Sequence, residues 1–187
     1  MKKLAFPYVL LLLISGISQN IFSQQIYRII KGDIIITMKY KDSVLEAKSN
    51  QLIETIDYET SQITFTVPYE TLYTGIDSID NQLKLLEDME LKFIGKMDLT
   101  VNTLSSSLQK FNIEGTIITA TPPTAAFGKG NLICYNAGDN GVTPSCMLTL
   151  TMKTTLTTLN LKQIFVYANN EIQIDIRQSL LKKEKTN

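Results

Sequence analysis

Side chains able to do chemistry are scarce in this sequence, and the scarcity narrows the choices. None of the 187 residues is histidine. Without imidazole there is no Ser–His or Cys–His activation of a nucleophile and no His-ligated zinc site. Carboxylate, lysine, tyrosine and thiol chemistry remain. Glu87, Asp88 and Glu90 lie close together in the chain, but adjacent helical positions point apart, so they read as a solvated face rather than an acid–base pair. Tyr40, Tyr58, Tyr69, Tyr73 and Tyr135 offer polar handles for a cavity mouth, although surface tyrosines need no such explanation. No nucleophile–base set can be assembled, so a non-catalytic protein without a cofactor is expected.

The two cysteines, Cys134 and Cys146, bracket the stretch CYNAGDNGVTPSC. Their chemistry depends on the compartment. The chain opens with Lys2 and Lys3, continues with an apolar run from Val9 to Ile17, and reaches the small Ser23 before a polar stretch. That is the layout of a secretory signal peptide, with cleavage expected near Ser23–Gln24. A membrane anchor would need about 20 predominantly apolar residues, and Ser15, Gly16 and Ser18 break the run early. No later stretch is long and apolar enough for a span. A periplasmic or secreted protein is therefore expected, its leader at 1–23 and a single domain at 24–187.

In an oxidising compartment the cysteine pair reads as a disulfide. Asn136, Gly138, Asp139, Asn140, Gly141 and Pro144 between them favour chain reversal, and Asn140-Gly141 is a strong hairpin signal. Two strands leaving one turn bring the cysteines together. Two thiolates alone fall short of the four ligands zinc favours, and the spacing is not Cys-x-x-Cys. A structural staple is the expected role.

Losing Lys2 and Lys3 with the leader takes the net charge from 0 to −2, since residues 1–23 contain no Asp or Glu. This gives no electrostatic footprint for nucleic acid. The C-terminal charged run at 182–187 is short and mixed in sign, and reads as a solvated tail.

The elements that would position any site follow a period of two. Ile63, Phe65 and Val67 alternate with polar residues in SQITFTVP. Leu91, Phe93, Gly95, Met97, Leu99 and Val101 share one face, with Ile94 out of pattern; Phe111, Ile113, Gly115 and Ile117 share another. Leu148, Leu150 and Met152 alternate with threonine and lysine, as Ile172, Ile174 and Ile176 do with charged and polar residues. Shorter strands are expected at 34–40, 44–48, 52–56 and 163–167. Ile79, Leu83 and Leu86 predict one short helix over about 78–89, with Asp77 or Ser78 as its N-cap and Asp80 in its first turn. Residues 102–110 and 120–130 read as loops, the latter through Pro122-Pro123 and two glycines. About eight or nine half-buried sequential strands predict an antiparallel meander, and closure into a barrel removes its edges.

Three segments resemble the YceI-like family of secreted lipid-binding proteins. Residues 32–68 are similar to the family's glycine-led opening strand, short strand and x-F-x-(I/V) strand. Residues 74–99 are similar to its threonine, acidic and leucine segment, with Thr74, Asp80 and Leu83 in those places, and IEGTII to its glycine strand, with Gly115 as the glycine. The match runs over roughly residues 28–120. It implies an all-β, lipocalin-like barrel around an apolar tunnel for a polyisoprenoid, quinone-like or fatty-acid-like chain. A barrel of about eight strands can enclose one small ligand or fill with side chains.

On that reading Ile63, Phe65, Phe93, Met97, Phe111, Ile113 and Leu150 line the interior, with Gly95 and Gly115 interrupting the same faces. At each glycine the missing side chain leaves either room for a ligand or freedom for a strand bend. The alternative to a lipid carrier is a filled barrel or sandwich acting as an envelope interaction or structural module. Either would leave self-association into a homodimer open.

Overall fold

The alternation read from the sequence becomes an inside and an outside once the strands are paired. The computed structural model describes residues 26–100, 106–119, 122–135 and 145–183. The expected leader and the Asn140-Gly141 turn lie outside the described residues. Nine strands occur among the described residues: β1 (Ile26–Tyr40), β2 (Ser43–Ser49), β3 (Ile53–Asp57), β4 (Gln62–Pro68), β5 (Glu90–Met97), β6 (Gln109–Ile117), β7 (Thr124–Tyr135), β8 (Ser145–Thr155) and β9 (Ala168–Lys183). One helix, α1 (Asp77–Lys84), lies between β4 and β5.

Every pairing is antiparallel. β1 is long enough to carry both β2 and β3 along one edge, through Ile34–Tyr40 and Ile26–Arg28, while its other edge pairs with β9 from Tyr27↔Lys183 to Tyr40↔Ala168. β2 and β3 thus act as one interrupted stave. The ladder β3-β4-β5-β6-β7-β8-β9 returns to β1, which makes nine strands into an eight-staved, closed antiparallel barrel. Register shifts within the β1–β9 pairing and between Leu148 and Leu150 in β8–β9 provide the irregularities a strongly curled sheet needs.

Side chains on the inner face are mostly apolar: Ile34, Ile36, Ile56, Ile63, Phe65, Leu91, Phe93, Ile117, Leu148 and Ile174 are each almost wholly buried. Burying such a side chain is worth roughly 1.5–3 kcal/mol. The outer face of β9 carries Glu171, Gln173, Asp175 and Arg177, and that of β8 carries Thr149, Thr151 and Lys153. This apolar-in, polar-out order is the reverse of a barrel that faces lipid. No helix among the described residues is long and apolar enough to cross a membrane.

One end of the barrel is plugged. The connections after β4, β6 and β8 all emerge there. Leu156, Leu159, Leu161 and Phe165 are fully buried, and Tyr69, in a 3-10 turn at Tyr69–Thr71, donates its hydroxyl to the Leu159 carbonyl at 2.7 Å. Asn160 ties the plug to the segment after β6 by donating to the Thr119 carbonyl at 3.1 Å. Ile79 and Leu83 of α1 are also buried.

Several expectations are corrected here. Residues 163–167 are successive turns rather than a strand: the amides of Ile164 and Phe165 bond back to the Leu161 carbonyl, and only Phe165 of the apolar trio Phe165, Val166, Tyr167 is buried. Residues 124–130 are the first half of β7 rather than a loop. Their glycines suggested a turn, but both lie in the strand with the apolar neighbours described below. β6 begins at Gln109, and β5 stops at Met97 instead of reaching Val101. α1 is shorter than expected and has Ile76 at its N-cap, with no side-chain cap bond there. Asp80 reaches back instead, accepting from the Thr74 amide at 2.8 Å, the Thr74 hydroxyl at 2.6 Å and the Gly75 amide at 3.1 Å. β9 runs on to Lys183, so the first two residues of the expected tail are paired with β1.

Cys134 and Cys146 are register partners on β7 and β8 and are joined as a disulfide, both buried. The loop it closes has a sequence separation of 12, for which loop-closure entropy gives about 3 kcal/mol. The double variant Cys134→Ala, Cys146→Ala is expected to lose about that much stability in urea denaturation, with two fewer thiols detected after reduction. Unchanged stability would show that the staple adds nothing to the barrel.

Candidate functional site in the barrel interior

The residues expected to line the interior do share one face. Ile63 and Phe65 project inward from β4, Phe93, Gly95 and Met97 from β5, Phe111, Ile113 and Gly115 from β6, and Leu150 from β8. Register brings several side by side: Ile63 opposes Gly95, Phe65 opposes Phe93, Gly95 opposes Gly115 and Met97 opposes Ile113. The Phe65 and Phe93 rings stack with centroids 5.0 Å apart and planes 21° from parallel. Leu150 lies two strands away from Phe111, with Gly130 of β7 between them.

The glycines have a use more specific than either expectation. A Cβ on Gly95 would lie 2.4 Å from Cζ of Phe93, and one on Gly115 would lie 2.6 Å from the same atom and 2.3 Å from the Ile94 carbonyl oxygen. The Phe93 ring therefore lies across the glycine pair. Phe111 covers Gly130 in the same way, at 2.4 Å, and Met152 covers Gly128 at 2.5 Å. The room left at each glycine is taken by a neighbouring side chain.

Polar groups inside are few. Ser49, Glu54, Ser61, Asp80 and Ser179 are the buried polar side chains among the described residues. Ser49 bonds the Thr71 hydroxyl at 2.6 Å, Ser61 donates to the Leu99 carbonyl at 2.7 Å, and Asp80 holds the start of α1. Glu54 differs. It is 1% exposed on the inner face of β3, beside Phe65 in the register, and its Oε2 accepts from the Ser179 hydroxyl of β9. Its Oε1 has no hydrogen-bond partner. Leaving a buried polar atom unpaired costs on the order of 1–3 kcal/mol. Burial pushes the Glu54 carboxyl up to about 7, with the Ser179 bond pulling the other way. Burial also pushes the Tyr69 phenol well above its ordinary range.

The sequence carried a signal for Glu54 that a strand assignment alone does not use. In LIETIDY, Leu52, Glu54, Ile56 and Tyr58 fall on one face, so a carboxylate occupies a position the alternation reserves for apolar side chains. The expected polar handles divide differently. Tyr69 is used by the plug and Tyr58 is buried, whereas Tyr73 and Tyr135 are exposed and Tyr40 makes an edge contact with Tyr167. Glu87, Asp88 and Glu90 are exposed, and no cluster of metal-ligating side chains occurs among the described residues. An outer groove of about 480 Å³ is walled largely by Asp98, Lys110, Asn112, Lys129 and Thr151, a lining unsuited to a long apolar chain.

No protein-family model matches the sequence, and neither does any curated protein. Among solved structures the fold is similar to that of a polyisoprenoid-binding domain from Saccharophagus degradans implicated in plant cell wall breakdown. The TM-score is 0.63 over 86% of this chain and 98% of that one, at 11% sequence identity. At that identity the likeness is one of fold, and it agrees with the closed antiparallel barrel expected from the strand pattern and with the lipocalin-like form that the family resemblance implies.

The Glu54 carboxyl sets a pH dependence whose sign is fixed. An unfolded glutamate ionises near 4.5, whereas the folded one holds its proton to about 7. Between these values the unfolded state binds fewer protons, so stability falls as pH rises from 4.5 to 7 and levels off above. The loss is on the order of 3 kcal/mol. Denaturation midpoints across this window should show that fall in the wild type and lack it in Glu54→Gln. Parallel profiles for the two proteins would contradict the assignment. Independently, Gly115→Ala should destabilise by about 1–3 kcal/mol, because its Cβ meets the backbone of Ile94 and Gly95; a neutral effect in the same assay would mean that β5 and β6 do not approach so closely at Gly115.

Proposed function

We propose that this protein is an exported, non-catalytic carrier that holds a long-chain apolar molecule inside its barrel, and that it belongs with the YceI-like proteins. The observation that carries the reading is an eight-staved barrel with an apolar inner face, plugged at one end and polar outside. The fold likeness to a polyisoprenoid-binding domain supports it, as do the order of the family-like segments and the lack of histidine. Each methylene of a chain buried in such an interior would contribute about 0.8 kcal/mol, less the cost of ordering a flexible tail. The buried disulfide and the leader-like N-terminus support an address in the periplasm or outside the cell.

A second reading is favoured by one observation. The space over the interior glycines is filled by Phe93, Phe111 and Met152, as a packed barrel requires. Val166 and Tyr167, 63% and 66% exposed beside the plug, then become contact residues of an envelope interaction module. Native mass spectrometry and solvent extraction of protein purified from its own host separate the two. The carrier reading predicts a long-chain lipid bound one to one. Protein that reproducibly emerges bare contradicts it and leaves the packed-barrel reading.

A further inference from the structure

We propose that Glu54 and Ser179 form the polar anchor of the interior, and that they select a chain ending in an uncharged hydrogen-bonding head, such as an alcohol or amide, over one ending in a carboxylate or phosphate. This rests on the carrier reading above and names the ligand class for the same interior.

Three features of the geometry converge. Glu54 projects from β3 into the barrel, next in register to Phe65, which stacks on Phe93. A head at Glu54 would therefore leave its tail against the aromatic pair. Ser179 projects from β9 and is register partner of Leu148; two positions on, Leu181 partners Cys146 of the disulfide. Ser179 accordingly lies one inward row from the stapled end of β7 and β8. Finally, Oε2 is occupied by Ser179 whereas Oε1 is buried and unpartnered. A leucine would fill a purely structural position on this face without that penalty. An oxygen held ready by a second residue is where a missing partner belongs.

The kind of partner follows from the electrostatics. The influences on Glu54 are burial and the Ser179 hydroxyl, with no cation among the described side chains to balance a charge. Below about pH 7 the carboxyl is neutral and can both donate and accept. A hydroxyl or amide head satisfies Oε1 and is satisfied by it. An anionic head would bring an uncompensated charge into the same apolar surroundings.

The test measures binding of cetyl alcohol, palmitamide, palmitate and cetyl phosphate, each below its micelle concentration, at about pH 6. Delipidated wild type is compared with Glu54→Gln and Glu54→Leu, with folding of each confirmed by circular dichroism. Wild type should bind the alcohol and amide about tenfold or more tightly than the two anions. Glu54→Gln, which keeps a hydrogen-bonding group, should retain that preference, and Glu54→Leu should lose most of it. Equal affinity of wild type for all four heads overturns the anchor while leaving the carrier reading intact. So does an undiminished preference in Glu54→Leu, or a ligand-bound crystal structure with only an ordered water on Oε1. Failure of every chain to bind overturns the anchor and the carrier together.

Discussion

The pairing of β1 with β9 is the constraint on which the molecule depends. Without it the sheet would be an open meander with a buried face and two exposed edges. With it, each inward side chain meets others from across the barrel and period-two alternation becomes a sorting of inside from outside. β1 can close the ring because it spans 15 residues, enough to hold β2 and β3 end to end along one edge and β9 along the other. The disulfide, the plug and the glycine seam are local solutions to problems that closure creates: a rim to be held, an end to be sealed, and rings to be fitted into a curled wall.

How much of this was legible depended on whether a residue's role was local. β4, β6, β8 and β9 could be read because Ile63, Phe65 and Val67, or Ile172, Ile174 and Ile176, alternate cleanly and the closed sheet rewards that order. The first half of β7 could not. Gly128 and Gly130 look like turn residues until Met152 and Phe111, from the flanking strands, are known to lie over them. Phe165 belonged to a run that resembled a strand because its burial comes from plugging the barrel end, a contact without local periodicity. The cysteine pair was readable from turn chemistry and spacing, since the two strands that carry it are neighbours in sequence.

The interior site was legible as a face and not as a mechanism. The candidate lining residues were found because they alternate, and alternation says only which side a residue is on. That Phe93 occupies the room of two glycines, or that Glu54 meets Ser179 across the width of β1, involves separations of up to 125 residues. Glu54 could have been singled out as the one carboxylate among Leu52, Ile56 and Tyr58, but its partner could not. A polar residue on a buried face marks a position as costly; only the fold tells what offsets the cost.

The proposed carrier role requires the interior to serve as a receptacle for an apolar chain rather than as mere packing. The most direct measurement is a crystal structure of protein purified from its native host without delipidation. A carrier should show continuous elongated density against Phe65, Phe93 and Ile113, ending near Glu54. An interior occupied from plug to rim by the protein's own side chains, with no such density, would contradict it.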